Sequence, residues 1–113
     1  MFEFQNNPVQ EYVHKAFRSY SEAIDAEIGK IAQLHYETGV AICDAGIAEH
    51  PESSSLYTAK AIGLFKLHRD PEAVLACEKS LEKQPNNNMA SFYLRMAKVI
   101  SDSKVPFKKK VTC

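Results

Sequence analysis

The sequence lacks a long apolar run, and it lacks an excess of charge of either sign. No apolar stretch reaches the roughly 18 residues that a membrane-spanning helix needs, so we expect no stable membrane association. The 14 basic and 14 acidic side chains balance each other, and a chain without a positive field is not expected to hold nucleic acid. Residues 1–10 contain Glu3 and Pro8 where a signal peptide has a basic end and an apolar core. These absences predict a cytoplasmic protein.

Cysteine is scarce as well, which bears on disulfides and metal sites. Cys43, Cys77 and Cys113 are odd in number and widely spaced, which argues against a disulfide framework. None of them belongs to a Cys-x2-Cys pair or has a histidine four residues away, as a zinc site would require. We therefore expect no metal and no other cofactor.

An internal repeat is the clearest positive feature of the sequence. Pro51 and Pro85 are 34 residues apart, and so are Cys43 and Cys77. Residues of the same kind match between these markers: Gly39 with Ala73, Val40 with Val74, Asp44 with Glu78, and Ile47 with Leu81. The match continues upstream at an offset of 33 if the first copy has a shorter turn at Tyr36-Glu37. Repeats of this length are typical of helical arrays, and the shared position predicts that the two cysteines are buried.

Helical periodicity supports the repeat independently. Apolar stripes with helical spacing occur at Tyr57, Ala61 and Leu64, and again at Val74, Cys77 and Leu81. Asp70 is placed to cap the second helix and Pro71 suits its first turn. Pro85 and the asparagines at 86–88 are expected to end that helix and start the next.

The region before the repeat allows two interpretations. Pro8 suits a helix start. Ser19 and Glu22 have the spacing of a capping box, which favours a helix break there. The alternative is one continuous helix from Pro8 to His35.

The spacing of these residues resembles the tetratricopeptide repeat. The second copy reads Tyr57-x2-Lys60-Ala61-x2-Leu64, then Ala73-x3-Cys77, then Pro85, where that family has Trp-x2-Leu-Gly-x2-Tyr, Ala-x3-Phe and Pro. Lys60 and Cys77 depart from the family pattern, and the first copy departs further, with Ile24 at the aromatic position and Ile28 at the small one. The resemblance gives a good repeat at about 54–87, a degenerate repeat at about 21–53, and a terminal helix.

The resemblance implies an all-α fold of about six helices, arranged as αα-hairpin repeats in a short right-handed superhelix. No alternating run predicts a strand. We expect an N-terminal segment and capping helix at 1–20, a repeat domain at 21–102, and a basic, flexible tail at 103–113 that contains three consecutive lysines.

In tetratricopeptide proteins the first helix of each pair lines a concave groove that holds a protein partner. The resemblance places nine residues in that groove: Asp25, Gly29, Ala32, Thr58, Ile62, Phe65, Tyr93, Ala97 and Ile100. Thr58 and Ile62 stand where family members that clamp a carboxylate carry Lys, Arg or Asn, so we expect no such clamp. The alternative interpretation is that some of these residues belong to the core.

A binding module is the expected function, and an enzyme is not, because no motif brings an acid, a base and a nucleophile together. The segment His68-Arg69-Asp70 resembles part of a kinase catalytic loop, but Leu75 stands where that loop has Asn. The first hypothesis is an adaptor or chaperone that holds a protein or peptide. The alternative is a self-assembling structural module that uses the same surface as a homodimer interface.

Overall fold

The computed structural model describes residues 8–26 and 29–103, with side chains at 8–23 and 30–100. These residues form five helices: α1 (Pro8–Ala26), α2 (Gly29–Glu49), α3 (Ser54–Lys66), α4 (Asp70–Lys83) and α5 (Asn88–Ser103). The described part contains no strand, so the predicted all-α class is confirmed. The predicted tail beyond Ser103 lies outside the described residues.

The first two helices differ from the prediction. The turn expected at Tyr36-Glu37 is wrong, because α2 runs without interruption through both residues. No breaker stands there, and Gln33 Nε2 donates to Glu37 Oε2 at 3.1 Å, one turn further along the same helix. The break expected near Ser19 is also wrong, since α1 continues to Ala26, and the continuous alternative fails because α2 starts as a separate helix at Gly29.

The helices pack in a simple pattern. Each helix packs against the next one in the chain, and in addition α1 contacts α3 while α3 contacts α5. Helices α1, α3 and α5 therefore follow one another in a row. With 21 residues against 13, α2 is about 12 Å longer than α3 at the usual rise per residue.

The ends of α3 are fixed by local hydrogen bonds. At its start the Ser53 side chain accepts from Leu56 N at 3.3 Å, as an N-cap does. At its end His68 has a left-handed φ of 62°, and Arg69 N donates back to Leu64 O at 2.9 Å. Asp70 was expected to cap α4 but is its first helical residue, because Arg69 holds the cap position without a side-chain cap bond.

The junction of α4 and α5 agrees with the prediction for residues 85–88, because α4 ends at Lys83 and α5 begins at Asn88. Asn87 caps α5 by accepting from Ala90 N at 3.0 Å. Its amide nitrogen donates to Ser54 Oγ at 2.8 Å and to Thr58 Oγ1 at 3.1 Å, both on α3. This buried polar cluster therefore joins the start of α5 to α3.

Small residues dominate the core. The buried alanines include Ala16, Ala59, Ala61, Ala73, Ala76, Ala90 and Ala97, and short side chains let helices approach closely. Cys43 and Cys77 are buried as predicted. No helix in the described part is both long and apolar enough to span a bilayer.

Candidate functional site

A groove runs over α3 between α1 and α5. It forms because α1 and α5 each pack on α3, whereas no contact joins them to each other among the described residues. The resulting cleft has a volume of about 310 Å³. Its lining residues are Gln10, Val13, Phe17, Ser55, Thr58, Ala59, Asn87 and Met89, and none of these eight is charged.

The floor of the groove is formed by α3, and its side chains are short. Thr58 and Ala59 are buried there. The Thr58 hydroxyl donates to Ser54 O at 3.1 Å and lies 2.7 Å from Ser80 Oγ. Because the Thr58 hydroxyl group is already hydrogen-bonded within the fold, it contributes little capacity for hydrogen bonds to a ligand.

The walls of the groove are apolar and partly exposed. On α1, Phe17 is 37% exposed and packs its edge against Tyr20, with ring centroids 5.6 Å apart. On α5, Met89 is 53% exposed. Phe92, one turn further and outside the cleft lining, is 48% exposed. The Phe92 ring packs edge-on against Tyr93 at 5.3 Å. Such side chains in contact with water favour an apolar ligand.

Tyr20 positions the α1 wall. It is buried, and its hydroxyl donates to Ala59 O at 2.8 Å. Its ring lies against Gly39 of α2 and Gly63 of α3, where a Cβ atom would come within 2.7 Å of Cδ1 and within 2.6 Å of Cζ respectively. Burial raises the pKa of the Tyr20 hydroxyl well above its ordinary value, so this side chain stays neutral and hydrogen-bonded.

The nine residues predicted for the groove lie in different surroundings. Asp25 and Gly29 belong to helices, but their surroundings lie outside the part of the chain that the structure describes. Ala32 lines a separate cleft with Tyr36 and Leu67. Ile100 lines another with Met96 and Val99 at the end of α5.

Of the other predicted residues, Thr58 lines the cleft. Thr58, Ile62 and Ala97 are buried. Phe65 and Tyr93 are half-buried and pack edge-on with ring centroids 5.8 Å apart. Ile62, Phe65 and Tyr93 therefore belong to the core or its edge, and the cleft is lined by other residues.

Those wall residues were missed by the sequence analysis. The repeat alignment assigned the first groove helix to residues after 20, whereas α1, with Val13 and Phe17, is the helix that packs beside α3. The spacing of Val13 and Phe17 by one helical turn indicates an apolar face on α1, but it does not indicate which neighbour that face meets. Met89 could be assigned only with the register of α5, which depends on packing.

The chemistry of the remaining groups is limited. No group of three or more His, Cys, Asp or Glu side chains that could hold a metal occurs within residues 8–23 and 30–100. Burial raises the pKa of Cys43 to about 12 and that of Cys77 to about 11, so neither is a thiolate at neutral pH. In a second cleft, between α2, α3 and α4, Lys60 pairs with Asp44 at 2.8 Å and Arg69 with Glu72 at 2.6 Å.

Comparison with known proteins gives no family model that matches this chain, and no curated protein or solved structure matches it either.

Proposed function

We propose that the chain is a tetratricopeptide-like interaction module, an adaptor or chaperone that holds an apolar segment of another protein in the groove between α1 and α5. The observation that carries this proposal is the uncharged cleft with exposed aromatic and thioether side chains on two separate walls. Clefts of this kind bind by apolar contact, with few polar groups for orientation.

The packing of the motif residues supports the family resemblance within this proposal. Ala61, Leu64, Ala73 and Cys77 are all buried, as the repeat pattern requires of its small and large apolar positions. The row of α1, α3 and α5 corresponds to the first helices of successive hairpins in a right-handed superhelix. In this interpretation residues 8–26 take the place that the alignment gave to residues 21–35.

The expected ligand is a short extended or helical segment with at least two large apolar side chains. Phe17 and Met89 would contact opposite sides of such a segment. Gln10 and Ser55 are polar groups at the cleft that could bond its backbone or polar side chains. A strongly charged segment would lose hydration without gaining a partner among the lining residues.

The experiment selects peptides from a random display library against the folded protein and maps their binding by NMR. We expect enriched sequences to be apolar and their shift changes to centre on Phe17, Ala59 and Met89. Met89→Asp should weaken binding at least tenfold. The matched control is Leu75→Asp on α4, which is 63% exposed and outside the groove; it should leave the affinity unchanged.

Two results would contradict the proposal. Shift changes that map to the cleft between α2 and α4 would place ligand binding elsewhere. Equal loss of affinity in Met89→Asp and Leu75→Asp would mean that the groove has no particular part in binding. Unchanged helical circular dichroism in both variants is needed to show that the fold is intact.

A further inference from the structure

Helix α2 carries uncharged side chains on two sides, one of which is buried while the other is exposed. An exposed stripe of uncharged residues on a helix is a candidate contact surface. One side of α2 carries Gly39, Val40 and Cys43, which are buried against the rest of the chain. The opposite side has nothing packed on it within the described residues; it carries a stripe of uncharged residues, with exposed Lys30, Glu37 and Asp44 along one edge.

The exposed side follows a regular spacing. We call it the α2 seam, and its residues are Ile31, Leu34, Thr38, Ala41, Ala45 and Ala48, all exposed. Their separations of three, four, three, four and three residues are those of the a and d positions of a coiled coil. Such a seam contacts a second helix along its full length of about 26 Å.

The single polar residue of the seam is already satisfied. Thr38 Oγ1 donates to Leu34 O at 2.8 Å, one turn earlier in the same helix. The hydroxyl therefore needs no water when the seam is covered, and the γ-methyl group is available for packing. Desolvation of the seam leaves no unpaired hydrogen-bond donor behind.

The order of large and small residues along the α2 seam favours a second, antiparallel α2 helix as its partner. In an antiparallel pair of two α2 helices, Ile31 lies opposite Ala48 and Leu34 lies opposite Ala45, with Thr38 opposite Ala41. Each large residue thereby meets a small one along the whole seam. A parallel pair would set Leu34 against Leu34 at one end and Ala45 against Ala45 at the other, which leaves voids that close packing disfavours.

The charges beside the seam include carboxylates of like sign that would face each other across the pair. On one edge Glu37 would lie near Asp44 of the partner subunit, and the Asp44 carboxylate is paired with Lys60 at 2.8 Å within its own chain. The ammonium group of Lys60 thus sits among the acidic groups and offsets their repulsion. An acidic pair without such a cation would oppose self-association.

The area of the contact sets its strength. Six seam residues and six flanking ones (Lys30, His35, Glu37, Ile42, Asp44 and Glu49) would take part. At roughly 35 Å² for each interface residue, they bury roughly 400 Å² per chain, about half of a standard interface. This is the size of a dimer that forms with rising concentration and dissociates on dilution.

We infer that the α2 seam is a self-association surface on which a second copy of this chain packs its own α2 in antiparallel orientation about a twofold axis. The groove between α1 and α5 lies on other helices and stays open in this dimer. The inference therefore stands independently of the proposed ligand.

The direct test is disulfide trapping in a Cys113→Ser background. The double variant Leu34→Cys/Ala45→Cys places two thiols about 16 Å apart in one helix, too far for an internal bridge. In the antiparallel dimer each thiol faces the other thiol of the second copy. We expect mild oxidation to give a covalent dimer from the double variant and little from either single variant.

The control places cysteines at Leu75 and Glu82 on α4, which are exposed and off the seam; this variant should stay monomeric. A double variant that stays monomeric on oxidation would overturn the inference. Cross-linking of the single variants as fast as the double variant would exclude antiparallel pairing.

Sedimentation of the unmodified chain over a concentration series gives a second readout. The mean mass should rise towards that of a dimer, and Leu34→Lys should abolish the rise. Leu75→Lys is the matched control, because the two leucines are 60% and 63% exposed. Loss of the rise in Met89→Asp with retention in Leu34→Lys would assign the dimer to the groove and refute the seam.

Discussion

Tyr20 donates a hydrogen bond of 2.8 Å to the backbone oxygen of Ala59 and fills the space left by the missing side chain of Gly63. This contact joins α1 to α3. A Cβ atom at position 63 would come within 2.6 Å of Tyr20 Cζ and within 2.7 Å of Val40 Cγ2, distances that require neighbouring atoms to move.

The first prediction concerns this close approach. Gly63→Ala should destabilise the fold by about 1–3 kcal/mol through overpacking, although alanine favours a helix interior by about 1 kcal/mol over glycine. Urea unfolding measures the change. The double variant Tyr20→Phe/Gly63→Ala should lose less stability than the sum of the single changes, because the phenolic oxygen is the atom nearest to the new Cβ. A net gain of stability in Gly63→Ala would contradict this account.

The second prediction concerns the polar cluster at the start of α5. Asn87→Ala removes the α5 cap and the donor to Ser54 and Thr58, so it should cost about 2–3 kcal/mol. The neighbouring Asn88 is exposed, and Asn88→Ala should change stability by less than about 0.5 kcal/mol. Thermal unfolding of the two variants in parallel makes the comparison, and equal losses would remove the special role of Asn87.

The third prediction concerns the left-handed backbone at the end of α3. His68 is exposed and has φ of 62°, a conformation that costs an ordinary residue about 1–2 kcal/mol and glycine little. His68→Gly should therefore raise the free energy of unfolding by about 1 kcal/mol. His68→Ala keeps the unfavourable backbone and should give no gain, so an equal rise in both variants would point to the loss of the imidazole instead.

The fourth prediction is a pH dependence set by the buried thiols. Burial raises the pKa of Cys43 from 9.0 to about 12 and that of Cys77 to about 11. The unfolded chain loses these protons first, so stability is fully present below pH 9 and falls as pH rises through the folded pKa values. Each thiol contributes a slope of up to about 1.4 kcal/mol per pH unit in that range. Urea midpoints from pH 8 to 10.5 measure the fall.

The matched variant for this slope is Cys43→Ala, which removes the most strongly shifted thiol. Its stability should be lower than that of the parent chain at pH 8, and it should decrease less steeply above pH 9. An identical slope in both proteins would show that other groups, such as the buried Tyr20 hydroxyl, dominate the alkaline transition.

The α3–α4 hairpin was predictable from sequence because its signals are local. Ser53 caps α3, Asn87 caps α5, and the small and apolar motif positions are buried where the spacing places them. The predicted helix boundary at Tyr36-Glu37 was wrong because it was inferred from an offset in the repeat alignment. The sequence contains no helix-breaking residue at that position. Residues 33–38 lie inside α2, which runs from Gly29 to Glu49 without interruption.

The groove walls were harder to predict because they depend on which helices become neighbours. Nothing in the local pattern around Phe17 distinguishes a residue facing α2 from one facing the space over α3. The direction in which Phe17 faces is set by the packing of Tyr20. The Tyr20 ring fits where Gly39 of α2 and Gly63 of α3 come together. Thr58 lines the cleft, but its hydroxyl group is hydrogen-bonded within the polar cluster beneath, which the repeat alignment did not indicate.

Among the described residues α1 and α5 are joined only through α3, so each wall of the groove is held in place separately. The Tyr20–Ala59 bond fixes one wall, and the bonds of Asn87 to Ser54 and Thr58 fix the other. Loosening either wall widens the opening from its own side, so the two effects on ligand affinity should add in free energy. The width of the groove can therefore be changed in two separate steps, one at the Tyr20–Ala59 bond and one at the bonds of Asn87. Neither step changes a wall residue that would contact the proposed ligand.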